Sequence, residues 1–100
     1  MGAEHDSPRP VDDATLRPVR DFLAREFRDW LQLEYFDVAE DAMMFVLETD
    51  QGRQHTLAVP VETFKDADFM RLCNAELAEA IKLAQWRRVT LTPNGVRLYE

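Results

Sequence analysis

The chain has 100 residues, of which 46% are apolar and 10% aromatic, so it can bury one core but is too short for two domains. Its net charge of −7 opposes attraction to nucleic acid or to anionic lipid. The longest apolar run, Ala42 to Leu47, is far shorter than the roughly 20 residues of a membrane-spanning helix, which excludes such a span.

The first twelve residues contain Pro8, Pro10 and several charges but almost no apolar side chain. Residues 1–12 are therefore predicted to be a disordered tail, and residues 13–100 a single domain. The acidic, polar start is unlike a secretory leader, and a single cysteine, Cys73, is typical of a reducing compartment. We expect a cytoplasmic protein.

The periodicity changes at Asp13, which together with Thr15 is a candidate helix N-cap. Apolar residues then recur at steps of three and four, which predicts a helix with one face in the core. That face comprises Val19, Phe22, Leu23, Phe27, Trp30 and Leu31.

The helical period ends after Leu33, and residues 42–49 have the composition of a strand. The segment Asp50-Gln51-Gly52 predicts a turn, so residues 54–59 should return antiparallel as a hairpin.

Pro60 ends the hairpin, and a polar stretch from Glu62 to Asp68 leads into a second helical region. This region has a break before Asn74, which is placed to cap the main segment. The sequence Pro93-Asn94-Gly95 between two β-rich segments then predicts a final hairpin. The order helix, hairpin, helix, hairpin (αββαββ) predicts an α+β fold with a four-stranded antiparallel sheet and helices packed on one face.

Residues suited to catalysis are few. Cys73 lies in an apolar helical stretch, which is typical of a core thiol, and His55 lies in a strand, where a structural role is expected. Only close proximity of these two would favour an enzyme. No zinc spacing, calcium loop or phosphate-binding glycine loop is present in the sequence. We therefore predict no catalytic residue, no metal, no cofactor and no enzymatic activity.

Aromatic and acidic residues gather after the first helix. These residues are Tyr35, Phe36, Asp37, Glu40 and Asp41. Because interfaces are enriched in aromatic side chains, this cluster predicts a contact surface for another protein, one with a basic surface. The alternative interpretation is that Tyr35 and Phe36 cover the hairpin as part of the fold. The leading hypothesis is a protein-binding module, such as an inhibitor, chaperone or regulatory subunit, that is a monomer or a homodimer.

The alternative hypothesis is a nucleic-acid-associated regulator that uses the basic last hairpin. Its binding residues would be Trp86, Arg87, Arg88 and Arg97. Arginines beside aromatics can contact phosphates and stack on bases, but the net charge of −7 disfavours this partner. In element order and acidity the chain resembles small secretion chaperones, immunity proteins and phage-encoded inhibitors in general terms, an analogy that assigns no residue a role.

Overall fold

A computed structural model of the chain describes residues 11–84 and 88–99. The helices are α1 (Asp13–Glu26), α2 (Val61–Phe64) and α3 (Ala75–Ala84), with a 3-10 turn at Phe69–Leu72 between the last two. The strands are β1 (Leu31–Asp37), β2 (Ala42–Glu48), β3 (Gln54–Pro60), β4 (Arg88–Thr92) and β5 (Gly95–Tyr99). They form one five-stranded sheet in the order β1-β2-β3-β4-β5.

The α+β class is confirmed, but the four-stranded antiparallel αββαββ arrangement is wrong in two respects. An additional strand, β1, pairs antiparallel with β2, so that β1, β2 and β3 form a meander. In addition, β3 and β4 are parallel. The physical reason is that the chain crosses back over the sheet through α2 and α3, and β4 therefore starts from the same end as β3.

The first helix begins at Asp13, but its N-cap lies one residue earlier than predicted and the helix ends sooner. Asp12, rather than Asp13 or Thr15, is the N-cap, and its carboxylate accepts a hydrogen bond from the Thr15 N–H at 2.9 Å. Hydrogen bonds from Thr15 lower the pKa of Asp12. Val11, which the sequence assigned to the tail, is buried in the core.

Trp30 and Leu31 do not belong to the helix. The helix ends at Glu26, and the Phe27 N–H closes it with a 2.8 Å bond to the Leu23 carbonyl. The Trp30 ring then packs 4.9 Å from that of Phe27, and Leu31 opens β1. The predicted helical face is therefore correct only as far as Phe27.

One face of the sheet, here called the inner face, carries the main core. Its buried strand residues are Met43, Phe45, Leu47, Leu57, Val59, Val89 and Leu91. The buried residues of α1, α3 and the 3-10 turn belong to the same cluster, so the helices lie against this face. Burial of each such side chain stabilises the fold by roughly 1.5–3 kcal/mol.

Two buried polar side chains link the helices to the sheet. His55 Nδ1 lies 2.9 Å from the Ile81 carbonyl oxygen of α3, and its ring packs 4.9 Å from that of Trp30. The Thr63 hydroxyl of α2 donates to the Leu91 carbonyl at 2.8 Å. These bonds satisfy polar groups that would otherwise be costly to bury.

Both predicted hairpins are present. Thr92 pairs with Gly95 across the two-residue turn before β5, and Gly52 lies in the turn between β2 and β3. Both glycines have positive φ angles, 123° and 84°, which explains why glycine is needed there. No helix in the described part of the chain is long and apolar enough to cross a membrane.

Candidate functional site

The opposite side of the sheet, here called the outer face, is apolar at its β1 end. Leu31, Leu33 and Tyr35 alternate along β1 and are 57%, 54% and 49% exposed. The strand register places Leu33 opposite Val46 and Tyr35 opposite Met44. Because directly opposed residues point to the same face, these side chains form one continuous surface.

The centre of the outer face is buried without help from the helices. Ala42, Met44 and Ala58 form a small cluster separate from the main core, and it contains no helical residue. The exposed β1 side chains therefore lie beside an apolar floor rather than at isolated positions.

The structure divides the predicted aromatic pair between the two faces. Tyr35 lies on the outer face, whereas Phe36 pairs with Met43 on the inner face and packs, half-buried, against the main core. Adjacent residues of a strand must point to opposite faces, so the two rings cannot contribute to one flat surface. Tyr35 is the member of the pair that is available to a partner.

The predicted acids shape the turn between β1 and β2. The Asp37 carboxylate accepts a hydrogen bond from the Glu40 N–H at 3.1 Å. Asp41 adopts a left-handed backbone conformation, with φ of 54°, and its carbonyl accepts the Val61 N–H at 3.0 Å. Glu40 and Asp41 are exposed, so negative charge lies beside the apolar end of the outer face.

The arginines of the nucleic-acid hypothesis share this face. Arg88 is aligned with Thr56, and Arg97 with Thr90, on the outer side of β4 and β5. Trp86 and Arg87 lie outside the described residues. Arg88 Nη2 is 3.5 Å from the Glu40 carboxylate. This ion pair joins the predicted nucleic-acid site to the predicted protein-binding site.

The outer face is wide enough for a macromolecule. Tyr35, Met44, Ala58, Thr90 and Arg97 form one row across all five strands. Four inter-strand spacings separate the ends of this row, a distance of about 19 Å. The exposed residues of this row are its two ends, Tyr35 and Arg97, since Met44, Ala58 and Thr90 between them are buried. A partner that contacts both ends would be a macromolecule rather than a small molecule, which prefers an enclosed pocket.

Sequence reasoning missed a groove along the free side of β1. The groove has a volume of about 280 Å³ and lies between α1 and the sheet, with Ala24, Phe45 and Leu47 among its lining residues. Its rim is fixed by Arg20, whose Nε and Nη2 donate to the two Glu34 oxygens at 2.9 and 2.7 Å. This hydrogen bonding raises the pKa of Arg20 and fastens α1 to β1. Finding the pair from sequence required recognising β1 as a strand.

Cys73 and His55, the two residues considered for catalysis, lie in environments typical of structural side chains. Burial raises the pKa of the Cys73 thiol to about 11, which leaves almost no thiolate at neutral pH. His55 is buried and engaged by the Ile81 carbonyl. Within residues 11–84 and 88–99 no group of three or more histidine, cysteine, aspartate or glutamate side chains could hold a metal ion.

No protein-family model, curated protein or solved structure matches this chain. The functional proposal therefore rests on the physical character of the outer face.

Proposed function

We propose that the chain is a cytoplasmic protein-binding module without catalytic activity, which presents the outer face of its sheet to another protein as an inhibitor, chaperone or regulatory subunit. The observation that carries this proposal is the exposure of Leu31, Leu33 and Tyr35 side by side on one face. Scattered surface leucines are normal, but contiguous ones beside an apolar floor are typical of interfaces.

The three exposed side chains alone supply only a modest binding energy. Full burial of one large apolar side chain is worth roughly 1.5–3 kcal/mol, and these side chains are already about half-buried. Together the three would therefore supply on the order of 3 kcal/mol before the costs of association. Additional contacts from the rest of the face are needed to reach micromolar affinity.

Charge favours a partner with a basic surface. Asp37, Glu40 and Asp41 lie at the turn beside Tyr35, and the chain as a whole carries a net charge of −7. A field of this sign accelerates encounter with cationic surfaces and slows encounter with anionic ones.

The alternative is a nucleic-acid-associated regulator, favoured by the position of Arg88 and Arg97 on the same face as Tyr35. The ion pair between Arg88 and Glu40 weakens this alternative, because phosphate would have to compete with a carboxylate already in place. Binding of this kind would weaken steeply as salt concentration rises.

An affinity capture with two matched variants tests both hypotheses. Leu33→Asp places a charge on the outer face, and Leu83→Asp makes the same change on α3, where the leucine is 70% exposed. Tagged wild type, each variant and a nuclease-treated wild-type sample are incubated with native lysate. Retained proteins are then identified by mass spectrometry.

The protein-binding proposal expects a partner that survives nuclease, is lost with Leu33→Asp and is retained with Leu83→Asp. Recovery that disappears with nuclease would favour the nucleic-acid alternative. Equal recovery by wild type and Leu33→Asp would remove the outer face as the site.

A further inference from the structure

We propose that β1 pairs edge to edge with β1 of a second copy of this chain, giving a homodimer with one continuous sheet and a two-fold axis beside Leu33. The inference rests on the proposed function and names a second copy as the partner of the β1 end of the outer face.

The free edge of β1 lacks most of the features that keep sheet edges apart, and the charge of its central Glu34 is countered by the ion pair with Arg20. Across its seven residues it forms an unbroken ladder with β2, without a bulge, and it contains neither lysine nor proline. In the described part of the chain β1 pairs with β2 alone. Long, regular, apolar edges readily accept another strand, and monomeric proteins usually interrupt or charge them.

The opposite edge of the sheet provides a contrast. β5 has five residues, and the exposed Arg97 lies in the middle of the strand. A short edge that carries an exposed charge resists strand addition, whereas the central charge of β1, Glu34, is largely buried against Arg20. Of the two edges, β1 is the one suited to pairing.

The sequence of β1 is self-complementary in one antiparallel register. A two-fold axis perpendicular to the sheet at Leu33 sets Leu33 against the second copy's Leu33, Leu31 against Tyr35, and Gln32 against Glu34. Shifting the axis to Glu34 would oppose two carboxylates, which is destabilising. In the Leu33 register the Gln32 amide instead faces the carboxylate of Glu34 and can donate to it.

This register also covers the exposed apolar surface. Leu31, Leu33 and Tyr35 of both copies would lie on the same face of the joined sheet and contact one another across the axis. On the inner side, the groove beside α1 would meet its symmetry mate, with the small Ala24 at its margin. The backbone pairing and the apolar contacts thus reinforce each other.

Long-range charge opposes this association, because both copies carry a net charge of −7. Added salt screens that repulsion, so dimerisation should strengthen as salt rises. Nucleic-acid binding would show the opposite dependence.

Sedimentation equilibrium of the purified full chain tests the dimer directly. Wild type and Leu83→Asp should dimerise at micromolar to millimolar concentrations. The dimer dissociation constant of Leu33→Asp should be at least about tenfold higher than that of the wild type. A wild-type protein that stays monomeric over this range, at low and at high salt, would overturn the proposal.

Cysteine cross-linking tests the register. In a Cys73→Ser background, Leu33→Cys places two thiols face to face across the axis, whereas the Leu31→Cys thiols would lie about 13 Å apart along the strands, beyond disulfide reach. Rapid oxidative dimer formation by the first variant and not by the second is expected. Equal cross-linking of both would refute pairing at Leu33.

Failure of this inference differs from failure of the proposed function. A monomer that captures a lysate protein through Leu33 would leave the function standing and assign the β1 edge to a foreign strand instead. A dimer that captures nothing would support self-pairing and count against an external partner.

Discussion

Replacing one leucine on each face of the sheet tests the assignment on which both proposals depend. Leu47 is fully buried on the inner face, whereas Leu33 is 54% exposed on the outer face. Truncation of a buried leucine to alanine removes its packing and leaves a cavity, at a cost of about 2–5 kcal/mol. We therefore expect Leu47→Ala to lower the free energy of unfolding by about 3 kcal/mol, and Leu33→Ala by less than about 1 kcal/mol.

Urea denaturation followed by circular dichroism measures both values, and thermal melts provide a check. For a domain of this size 3 kcal/mol corresponds to a fall in Tm of about 12 to 24 °C. The comparison belongs at low protein concentration, since dimerisation would add stability to the wild type. If Leu33→Ala were as costly as Leu47→Ala, Leu33 would be buried in the isolated chain and the outer face could not be a free surface.

Three further outcomes follow from individual contacts. Thr63→Val should lower the free energy of unfolding by about 1 kcal/mol, because it removes a donor to a buried carbonyl. Thr90→Val should be neutral or stabilising, since the Thr90 hydroxyl is buried without a hydrogen-bond partner in the described residues. Urea titration distinguishes the two variants, and equal losses of stability would contradict the assignment. The pKa of about 11 at Cys73 predicts that iodoacetamide labels the native protein at pH 8 roughly 100-fold more slowly than the urea-unfolded chain. Similar labelling rates for the two states would show that the thiol is accessible. Because its pKa is lowered, the Asp12 carboxylate stabilises the fold at pH values above the ordinary aspartate pKa, and this contribution is lost as pH falls through the lowered pKa. Asp12→Ala should therefore reduce Tm at pH 7 and much less at pH 2. The same fall in Tm at both pH values would argue against the charged cap.

Local signals were sufficient for the elements with strong turn chemistry. Pro93-Asn94-Gly95 marks a turn wherever it occurs between β-rich segments, and Gly52 does the same between β2 and β3. The part of the buried face of α1 from Val19 to Leu23 also follows from its period. These features depend on residues close together in the chain, which is why the sequence was enough.

The strand β1 was missed because two periodicities overlap at its start. Trp30 and Leu31 continue the three- and four-residue spacing of α1, and this hid the alternation that begins with Leu31 and continues through Leu33 and Tyr35. Where a helix ends depends on packing, here the contact of Phe27 with Trp30, which no local pattern records.

The candidate site was predicted in part for the same reason. The sequence located the aromatic and acidic cluster, but without β1 it could not separate Tyr35 from Phe36 or place Tyr35 on one face with Arg88 and Arg97. The Arg20 to Glu34 bond joins elements whose proximity only the fold creates.

The order of the strands in the sheet, which is the same as their order in the chain, has a consequence for folding. Among the described strands, each antiparallel pair is closed by a short turn, so the β3 to β4 junction requires closure of a long connection, which contains α2 and α3. Loop-closure entropy rises slowly with length, but non-local pairing slows the folding rate. We expect the α1 to β3 segment to be structured early in the transition state and the last hairpin to dock late, so substitutions in β4 should mainly accelerate unfolding.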